Sequence, residues 1–229
     1  MSEVTTSRTR QLLTAALGLV ALVAAVLTLG PPPSGQPLDP DGVDPGGLRG
    51  LVEVLERLDV DVRVGAGVPE DVEARVLVAR DRLGQTDRDE LLAWVEAGGT
   101  LVVADPSSPL HGLARVGSDQ FLGRSARAPD CPLLGEVGQV LQGGWEGFEV
   151  PAGARSCFPV GDGDGAWLVV SARGSGQLVA LGSPDPFTNG LLDEADNAVL
   201  AASLLGPAPG ARLRVVPTAA PAASVRARR

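Results

Sequence analysis

The chain has 229 residues, enough for one domain of ordinary size with appendages and a sizeable hydrophobic core. Its net charge is −9; residues 1–33 contribute +1 and residues 212–229 contribute +5, so residues 34–211 carry −15. An acidic body of this kind repels phosphate backbones, which excludes nucleic acid as a partner of the domain.

The first element is an apolar segment, Leu12–Leu29, with no charged residue in 18 positions. As a helix it would be roughly 27 Å long, close to the thickness of a bilayer's hydrocarbon core. Arg8 and Arg10 precede it, which predicts a cytoplasmic tail over 1–11 and a domain outside the cytoplasm. A cleaved signal peptide is the alternative, although the run is long for one and "TLGPPPSG" offers no cleavage site. We therefore predict a single-pass protein of the cell membrane, held in the lipid bilayer by 12–29.

A Pro/Gly/Asp-rich stretch follows, and we predict an extended, solvated linker over 30–44. Asp44 and Pro45 then supply an N-cap acid and a proline at the first helical position. Helical spacing of apolar residues continues the helix over 45–58: Leu48, Leu51, Val52, Leu55, Leu58. The alternating "VDVRV", 60–64, predicts a strand.

A second strand, helix and strand come next. "RVLVA", 75–79, is the short apolar run of a strand buried on both faces. Thr86 and Asp89 resemble a capping box, and the helix over 87–97 ends at Gly98-Gly99. "TLVVA", 100–104, is the next strand. Two alternations of helix and strand predict right-handed crossovers, and hence an α/β domain with a mostly parallel sheet flanked by helices.

The rest of the chain is less regular. Over 105–165 we predict one strand, near Phe148–Val150, and "AWLVVSA" and "GQLVALGS" on either side of "RGSG" predict a β-hairpin. A final helix begins at Asp193 and ends at Gly206, so that the domain spans 45–206. The tail, 207–229, is basic and rich in Pro and Ala, and we expect it to be disordered.

Two cysteines, Cys131 and Cys157, lie in the part predicted to be outside the cytoplasm, where disulfides persist. A bridge would close a loop of 27 residues and would stabilise the fold by about 3.5 kcal/mol on the chain-entropy estimate. Two buried free thiols are the simpler alternative. Metal binding by the cysteines and the single histidine, His111, is a weaker one, because the spacing matches no zinc motif.

Candidate binding residues follow two strands. In an α/β sheet, ligands bind beyond the carboxyl ends of the strands. Asp105 follows strand 100–104, and six polar residues follow strand 177–182: Ser183, Asp185, Thr188, Asn189, Asp196, Asn197. They could form a polar pocket for a small molecule or sugar at a helix N-terminus, or they could cap helices and fold turns onto their own backbone.

Catalytic motifs are absent from the sequence. There is no G-x-S-x-G, neither cysteine lies in a tight G-x-C-x-G turn, and His111 falls in a predicted loop. "GDGDG", 161–165, resembles a calcium loop superficially, but it lacks the twelfth-position glutamate and is better explained as a turn. Phosphate-binding glycine loops are also absent. We therefore expect no catalytic residue, no metal and no cofactor.

Several segments together carry a family resemblance. "LDPDGVDPGGLRGLVEVLERLDVDV", "ELLAWVEAGGTLVVADP", "DCPL", "SCFPV" and "LVALGSPDPFTNGLLDEADNAVLAASLLG" resemble the actinobacterial membrane proteins that carry the DUF4350 domain, over nearly all of 34–206. That family is similar in fold to class I glutamine amidotransferases and generally lacks their catalytic cysteine and histidine. The resemblance implies an amidotransferase- or flavodoxin-like fold, and the two cysteines resemble the family's pair.

Two hypotheses of function follow. The first is a membrane-anchored, non-enzymatic extracytoplasmic domain that binds or scaffolds protein partners in an envelope or transport-associated assembly, because relatives of the family occur near such systems. The second is a small-molecule or sugar binder that uses the loops after strands 100–104 and 177–182.

Overall fold

The computed structural model describes residues 35–117, 123–126, 131, 134–135, 137–143, 146–160 and 165–218. The predicted tail 1–11 and membrane segment 12–29 lie outside this set, as do residues 219–229. Within the described ranges, each helix is too short or too polar to span a bilayer.

Within the described residues, short helices alternate with strands at both ends of the domain, and most of the elements between them are strands. In chain order the elements are α1 (Arg49–Arg57), β1 (Asp61–Val64), β2 (Arg75–Val78), α2 (Gln85–Glu96), β3 (Thr100–Val103), β4 (Arg115–Val116), β5 (Gly123–Ala126), β6 (Gln139–Gln142), β7 (Gly147–Glu149), β8 (Arg155–Val160), β9 (Gly165–Arg173), β10 (Gly176–Leu181), a 3₁₀ turn (Asp185–Phe187), α3 (Asn197–Leu205) and β11 (Arg212–Val215).

One large sheet organises these elements, in the order β1-β11-β2-β3-β10-β9-β7-β4, with β8 also paired to β9. From β1 to β10 the neighbours are parallel. From β10 to β4 they are antiparallel. β5 and β6 form a separate antiparallel pair.

The prediction of a mostly parallel sheet is therefore wrong, and the sheet is mixed. The predicted hairpin is present as β9 and β10, whose turn includes Gly174 at φ +58°. A hairpin turn is too short for a crossover, so its two strands are antiparallel. β7, β8 and β4 then extend the antiparallel half from β9, in a stretch where the sequence predicted only the strand near Phe148–Val150.

The central strands are buried on both faces, as the apolar runs predicted. On β2 and β3, Leu77 and Val102 belong to one hydrophobic cluster with α1 and α3, while Val76 and Leu101 belong to a second cluster with α2. The alternation follows from the two-residue period of side chains along a strand. Helices therefore cover both faces of the sheet at β2 and β3.

The predicted disordered tail is wrong for residues 212–215, which form β11 between β1 and β2. Leu213 and Val215 are buried there, while Arg212 is exposed. Arginines at alternate positions make the segment look like a polar tail, although a strand that buries only one of its faces has the same alternation. The strand is reached by a crossover from β10 through α3, which inserts a C-terminal segment between the two strands that come first in the chain.

The predicted solvated linker is wrong for its last residues. Leu38 is buried with the α1/α3 cluster, and its N–H donates to the Gly46 carbonyl at 2.7 Å. The Leu48 N–H donates to the Asp39 carbonyl at 2.9 Å, so the stretch from 35 folds onto the start of α1. Residues 45–48 form a turn and a bend, and α1 begins at Arg49 instead of Pro45.

The disulfide prediction is confirmed: Cys131 and Cys157 are bonded, with their Cα atoms 5.7 Å apart. Both residues are buried in the α1/α3 cluster, and Cys157 lies on β8. The bond therefore links the irregular middle segment covalently to the antiparallel half of the sheet.

Because the disulfide closes a long loop, we expect it to make a measurable contribution to stability. Replacing both cysteines by alanine should lower the free energy of unfolding by about 3.5 kcal/mol, because the unfolded chain regains the entropy of the open loop. Urea denaturation of Cys131→Ala/Cys157→Ala against the parent measures this. The reduced parent is the control and should match the double variant, and a difference below about 1 kcal/mol would contradict the estimate.

Candidate functional site

The carboxyl ends of the parallel strands meet along one edge of the sheet, where sequence reasoning placed the candidate residues. Asp105 lies two residues after β3, and the residues from Ser183 to Asn197 lie between β10 and α3. The positions are as expected from the order of elements. The contacts that these side chains make at that edge bear on both alternatives, a ligand pocket and a structural loop.

Asp105 joins two strand ends. Its Oδ2 accepts the N–H of Asp81, which follows β2, at 2.9 Å. Its Oδ1 accepts the N–H of Ser107 at 3.0 Å and the Ser107 hydroxyl at 2.6 Å. Both carboxylate oxygens therefore hold backbone and side-chain donors of the same edge.

Asp81 is the centre of this network, and sequence reasoning missed it. Its side chain is only 2% exposed, and it accepts hydrogen bonds from Arg88 Nε at 2.9 Å and from the Ser108 hydroxyl at 2.6 Å. The Leu83 N–H adds a third donor at 3.0 Å. Asp81 follows a strand just as Asp105 does, so the rule that selected Asp105 would have found it.

The pKa of Asp81 lies below its ordinary value. Burial alone raises that pKa, but the hydrogen bonds from Arg88, Ser108 and Leu83 together outweigh it. The carboxylate is thus held ionised by an ion pair that ties the β2 loop to α2. Such a network holds loops at the sheet edge in place.

His111, a weak metal candidate, is held by backbone groups at both ring nitrogens. Nδ1 accepts the Leu113 N–H at 3.0 Å, and Nε2 lies 3.2 Å from the Pro106 carbonyl. The ring packs against Phe148 with centroids 4.7 Å apart. Burial lowers the histidine's pKa, despite the opposing effect of the Pro106 carbonyl. A neutral ring that donates from Nε2 satisfies both contacts.

The first part of the 183–197 loop folds onto its own backbone. The Ser183 hydroxyl accepts the Asp185 N–H at 3.1 Å, and the Thr188 hydroxyl donates to the Asp185 carbonyl at 2.7 Å. The Asp185 carboxylate lies over Gly143, where a Cβ would come within 2.0 Å of Oδ2. A side chain at position 143 would therefore displace the Asp185 carboxylate.

Asn189 fastens the loop to the start of α1. Its Oδ1 accepts the Gly50 N–H at 2.7 Å, and its Nδ2 donates to the carbonyls of Gly42 at 2.8 Å and Asp44 at 2.7 Å. The Asn189 N–H donates to the Gly47 carbonyl at 2.9 Å. Both amide hydrogens of the side chain are used within the fold.

Asp196 and Asn197 fasten the same loop to β6. Asp196 Oδ2 accepts the N–H groups of Gly138 and Gln139, each at 2.8 Å, and these bonds lower its pKa. Asn197 is fully buried; its Oδ1 accepts the Leu141 N–H at 3.0 Å, while its Nδ2 donates to the Leu141 carbonyl at 2.8 Å. A further bond, 2.7 Å long, runs from Nδ2 to the Leu191 carbonyl. Asn197 thus pairs with β6 as a neighbouring strand would.

Four of the seven candidates therefore join the sheet edge to other elements: Asp105 at β2 and β3, Asn189 at α1, and Asp196 and Asn197 at β6. The other three take part in hydrogen bonds within the loop itself: Ser183, Asp185, Thr188. Two surface cavities of about 390 Å³ lie elsewhere, one beside β1 and β11 and one between α1 and the start of α3. Among the candidates only Asn189 borders one of these two cavities. The described residues contain no group of three His, Cys, Asp or Glu side chains able to hold a metal ion.

A disulfide-linked, mixed α/β domain with two covered sheet faces is the class that these observations define. Residues 40–205 match the model of a domain of unknown function, DUF4350, over well more than half of the chain. The protein belongs to that family. No curated protein sequence matches the chain.

Several solved structures are similar to this chain at low sequence identity. A cytoplasmic protein from Salmonella typhimurium LT2 is 13% identical over 69% of this chain and 86% of its own, with a TM-score of 0.51. A second cytoplasmic protein from Salmonella typhimurium gives 14% identity, 68% and 73% coverage and a TM-score of 0.40. An exo-β-1,4-mannosidase from Opitutaceae bacterium strain TAV5 is 21% identical over 57% of this chain, with a TM-score of 0.38, and the match spans only 24% of the mannosidase.

The joint at β6 predicts a large loss of stability when Asn197 is replaced. Asn197→Ala leaves the N–H and carbonyl of Leu141 without that partner and should lower the free energy of unfolding by about 2–4 kcal/mol. Chemical denaturation measures the loss. Val199→Ala, at an exposed position of the same helix, is the matched control and should change stability by less than about 0.5 kcal/mol. Equal effects of the two variants would contradict the assignment.

The Asp81 network predicts a pH signature. A lowered pKa means that the carboxylate stabilises the fold above its ordinary pKa, near 4, and that this contribution is lost as the pH falls through the folded-state value. At pH 7, Asp81→Asn should lower the free energy of unfolding by about 2–3 kcal/mol, because Arg88 loses its buried partner.

Urea titrations from pH 7 to pH 2 test this. The gap between parent and Asp81→Asn should be constant down to about pH 4 and should shrink below it. Glu90→Gln, an exposed position on α2, is the control and should show no such gap. A gap independent of pH over the whole range would contradict an ionised Asp81.

Proposed function

We propose that this protein is anchored in the cell membrane by residues 12–29, with its α/β domain outside the cytoplasm, and that the domain binds protein partners of the envelope and catalyses no reaction. The arginines before the apolar segment support the orientation. The disulfide supports an oxidising compartment, because cytosolic proteins are kept reduced.

One observation carries the non-enzymatic part. The chain has two cysteines, which are bonded to each other, and one histidine, whose ring nitrogens both contact backbone groups. A thiol–imidazole pair needs a free thiol with an unoccupied histidine nitrogen beside it. The resemblance to amidotransferase-like domains without the catalytic pair accords with this arrangement.

The use of the loop side chains supports partner binding over a small-molecule site. The side chains of Asn189, Asp196 and Asn197 form hydrogen bonds with backbone atoms at the start of α1 and at β6. A ligand at these loops would have to replace those bonds, at a cost of about 1–3 kcal/mol for each buried group left unpaired. The outer surface of the domain remains available for protein contacts.

The proposed orientation predicts which positions a membrane-impermeant maleimide labels on intact cells. Ser175→Cys, in the exposed turn between β9 and β10, should be labelled, and Ser2→Cys should be labelled only after lysis. The native cysteines provide no background, since both are in the disulfide. Protection of Ser175→Cys until lysis would contradict the orientation.

Partner binding can be tested in the same cells with a photo-crosslinking amino acid at one exposed position on each face of the sheet. Glu90 on α2 and Val199 on α3 are suitable. A discrete adduct from one face and none from the other is expected for a specific partner. Failure of both positions, together with a rise in melting temperature caused by a metabolite, would contradict the proposal and favour the small-molecule alternative.

A further inference from the structure

Strand β1 lies at one end of the large sheet. It pairs with β11 on one side, and within the described residues no strand pairs with its other side. Val64 is 50% exposed at this edge. An open edge offers unpaired backbone groups to any strand of suitable sequence, and proteins commonly block such edges.

The hydrogen bonds to β11 show which groups face outward. The Asp61 N–H donates to the Ala211 carbonyl at 2.8 Å, and the Gly65 N–H donates to the Val215 carbonyl at 3.1 Å. In a parallel pair, alternate residues direct both N–H and C=O to the same neighbour. Val62 and Val64 therefore direct theirs to the open edge.

The charges on one face of this edge form a defined pattern. Asp61 is paired in register with Arg212, and Arg63 with Arg214. Arg63 also forms an ion pair with Asp61 on its own strand at 2.8 Å. On this face, the residue at the open edge is therefore an acid at position 61 and an arginine at position 63.

We propose that β1 pairs antiparallel with β1 of a second copy of this chain, around a two-fold axis at Val62, so that the two sheets become continuous. A two-fold axis perpendicular to the sheet keeps equivalent faces on the same side. Centred on Val62, it sets Asp61 opposite Arg63 of the partner subunit, and Arg63 opposite Asp61 of the partner subunit. Opposite charges directly across a strand pair are stabilising.

The charges also exclude the neighbouring register. An axis at Arg63 would set the two Arg63 side chains against each other, flanked on both sides by Arg214. Four arginines would then stand in one row, and like charges directly opposite are destabilising. The edge sequence is therefore complementary to itself in only one of these two registers.

The backbone permits four hydrogen bonds in the favoured register. The two Val62 residues exchange a reciprocal pair, and each Val64 N–H can donate to the Val60 carbonyl of the partner subunit. The Val60 N–H is already used, since it donates to the Leu55 carbonyl at 3.1 Å. So short a contact buries less than a stable dimer needs, and we expect a weak dimer whose population rises with concentration.

Cysteine crosslinking of the full-length chain tests the register. In the proposed pair, the two Val62 Cα atoms would be about 5.5 Å apart, within the range that a disulfide spans. Val62→Cys should therefore give a disulfide-linked dimer on mild oxidation. Arg63→Cys is the control, because its equivalents would be diagonal neighbours about 7–8 Å apart, beyond that range. No dimer from Val62→Cys, or an equal yield from Arg63→Cys, would overturn the register.

Charge exchange tests the pairing itself. Analytical ultracentrifugation of the full-length parent should show a monomer–dimer equilibrium, and Arg63→Asp should weaken it at least about tenfold by placing carboxylates opposite each other. Asp61→Arg/Arg63→Asp should restore it, because the exchanged charges are again complementary. Asp61 and Arg63 are exposed, and matched thermal unfolding checks that each variant folds. All samples contain the same residues 1–34, so any association through that segment contributes equally to each and does not affect the comparison between variants. A parent that stays monomeric, or equal dissociation constants in all three, would overturn the proposal.

Discussion

The burial of Asn197 is the constraint on which the C-terminal half of the domain depends. A fully buried carboxamide must have its donors and acceptor satisfied, and here the backbone of Leu141 and Leu191 satisfies them. The same side chain fixes where α3 begins and where β6 lies. From α3 the chain continues to β11, which lies between β1 and β2, so the position of α3 bears on the order of the sheet.

Much of the fold follows from patterns that the sequence shows openly. The apolar runs of β2 and β3, the helix over 85–96 and the β9–β10 hairpin were all predicted within a few residues. Each has a strong local cause: an apolar run buried on two faces, helix-starting residues, or a glycine-containing turn. At these places the local sequence is enough to predict whether the chain forms a strand or a helix.

The remaining errors share a physical origin in contacts between distant parts of the chain. The sequence of β11 resembles a basic tail because it contains two arginines. Leu213 and Val215 become core residues only because the strand lies between β1 and β2. Leu38 was assigned to the linker because a single apolar residue shows no periodicity that would indicate a buried element. β8 was missed because its "RSCFPV" contains a proline, and a proline indicates an edge strand or no strand.

For the candidate site, sequence reasoning found a segment at the carboxyl edge of the sheet, and the structure shows which backbone groups its polar side chains contact. Spacing alone does not show whether Asn189 or Asp196 turns toward a ligand or toward its own backbone, because both outcomes use the same residue types at the same edge. The N–H donors that hold them come from Gly50 and Gly138, more than fifty positions away along the chain. Such partners become visible only in three dimensions.

Hydrogen–deuterium exchange of single amides shows whether the polar side chains of the loop hold the fold together. We expect the N–H groups that donate to these side chains to be protected to nearly the same degree as the amides of β3 and β10: Gly50, Gly138, Gln139, Leu141. Rapid exchange of these four amides while the sheet stays protected would contradict it, and would leave the loop side chains open to a ligand.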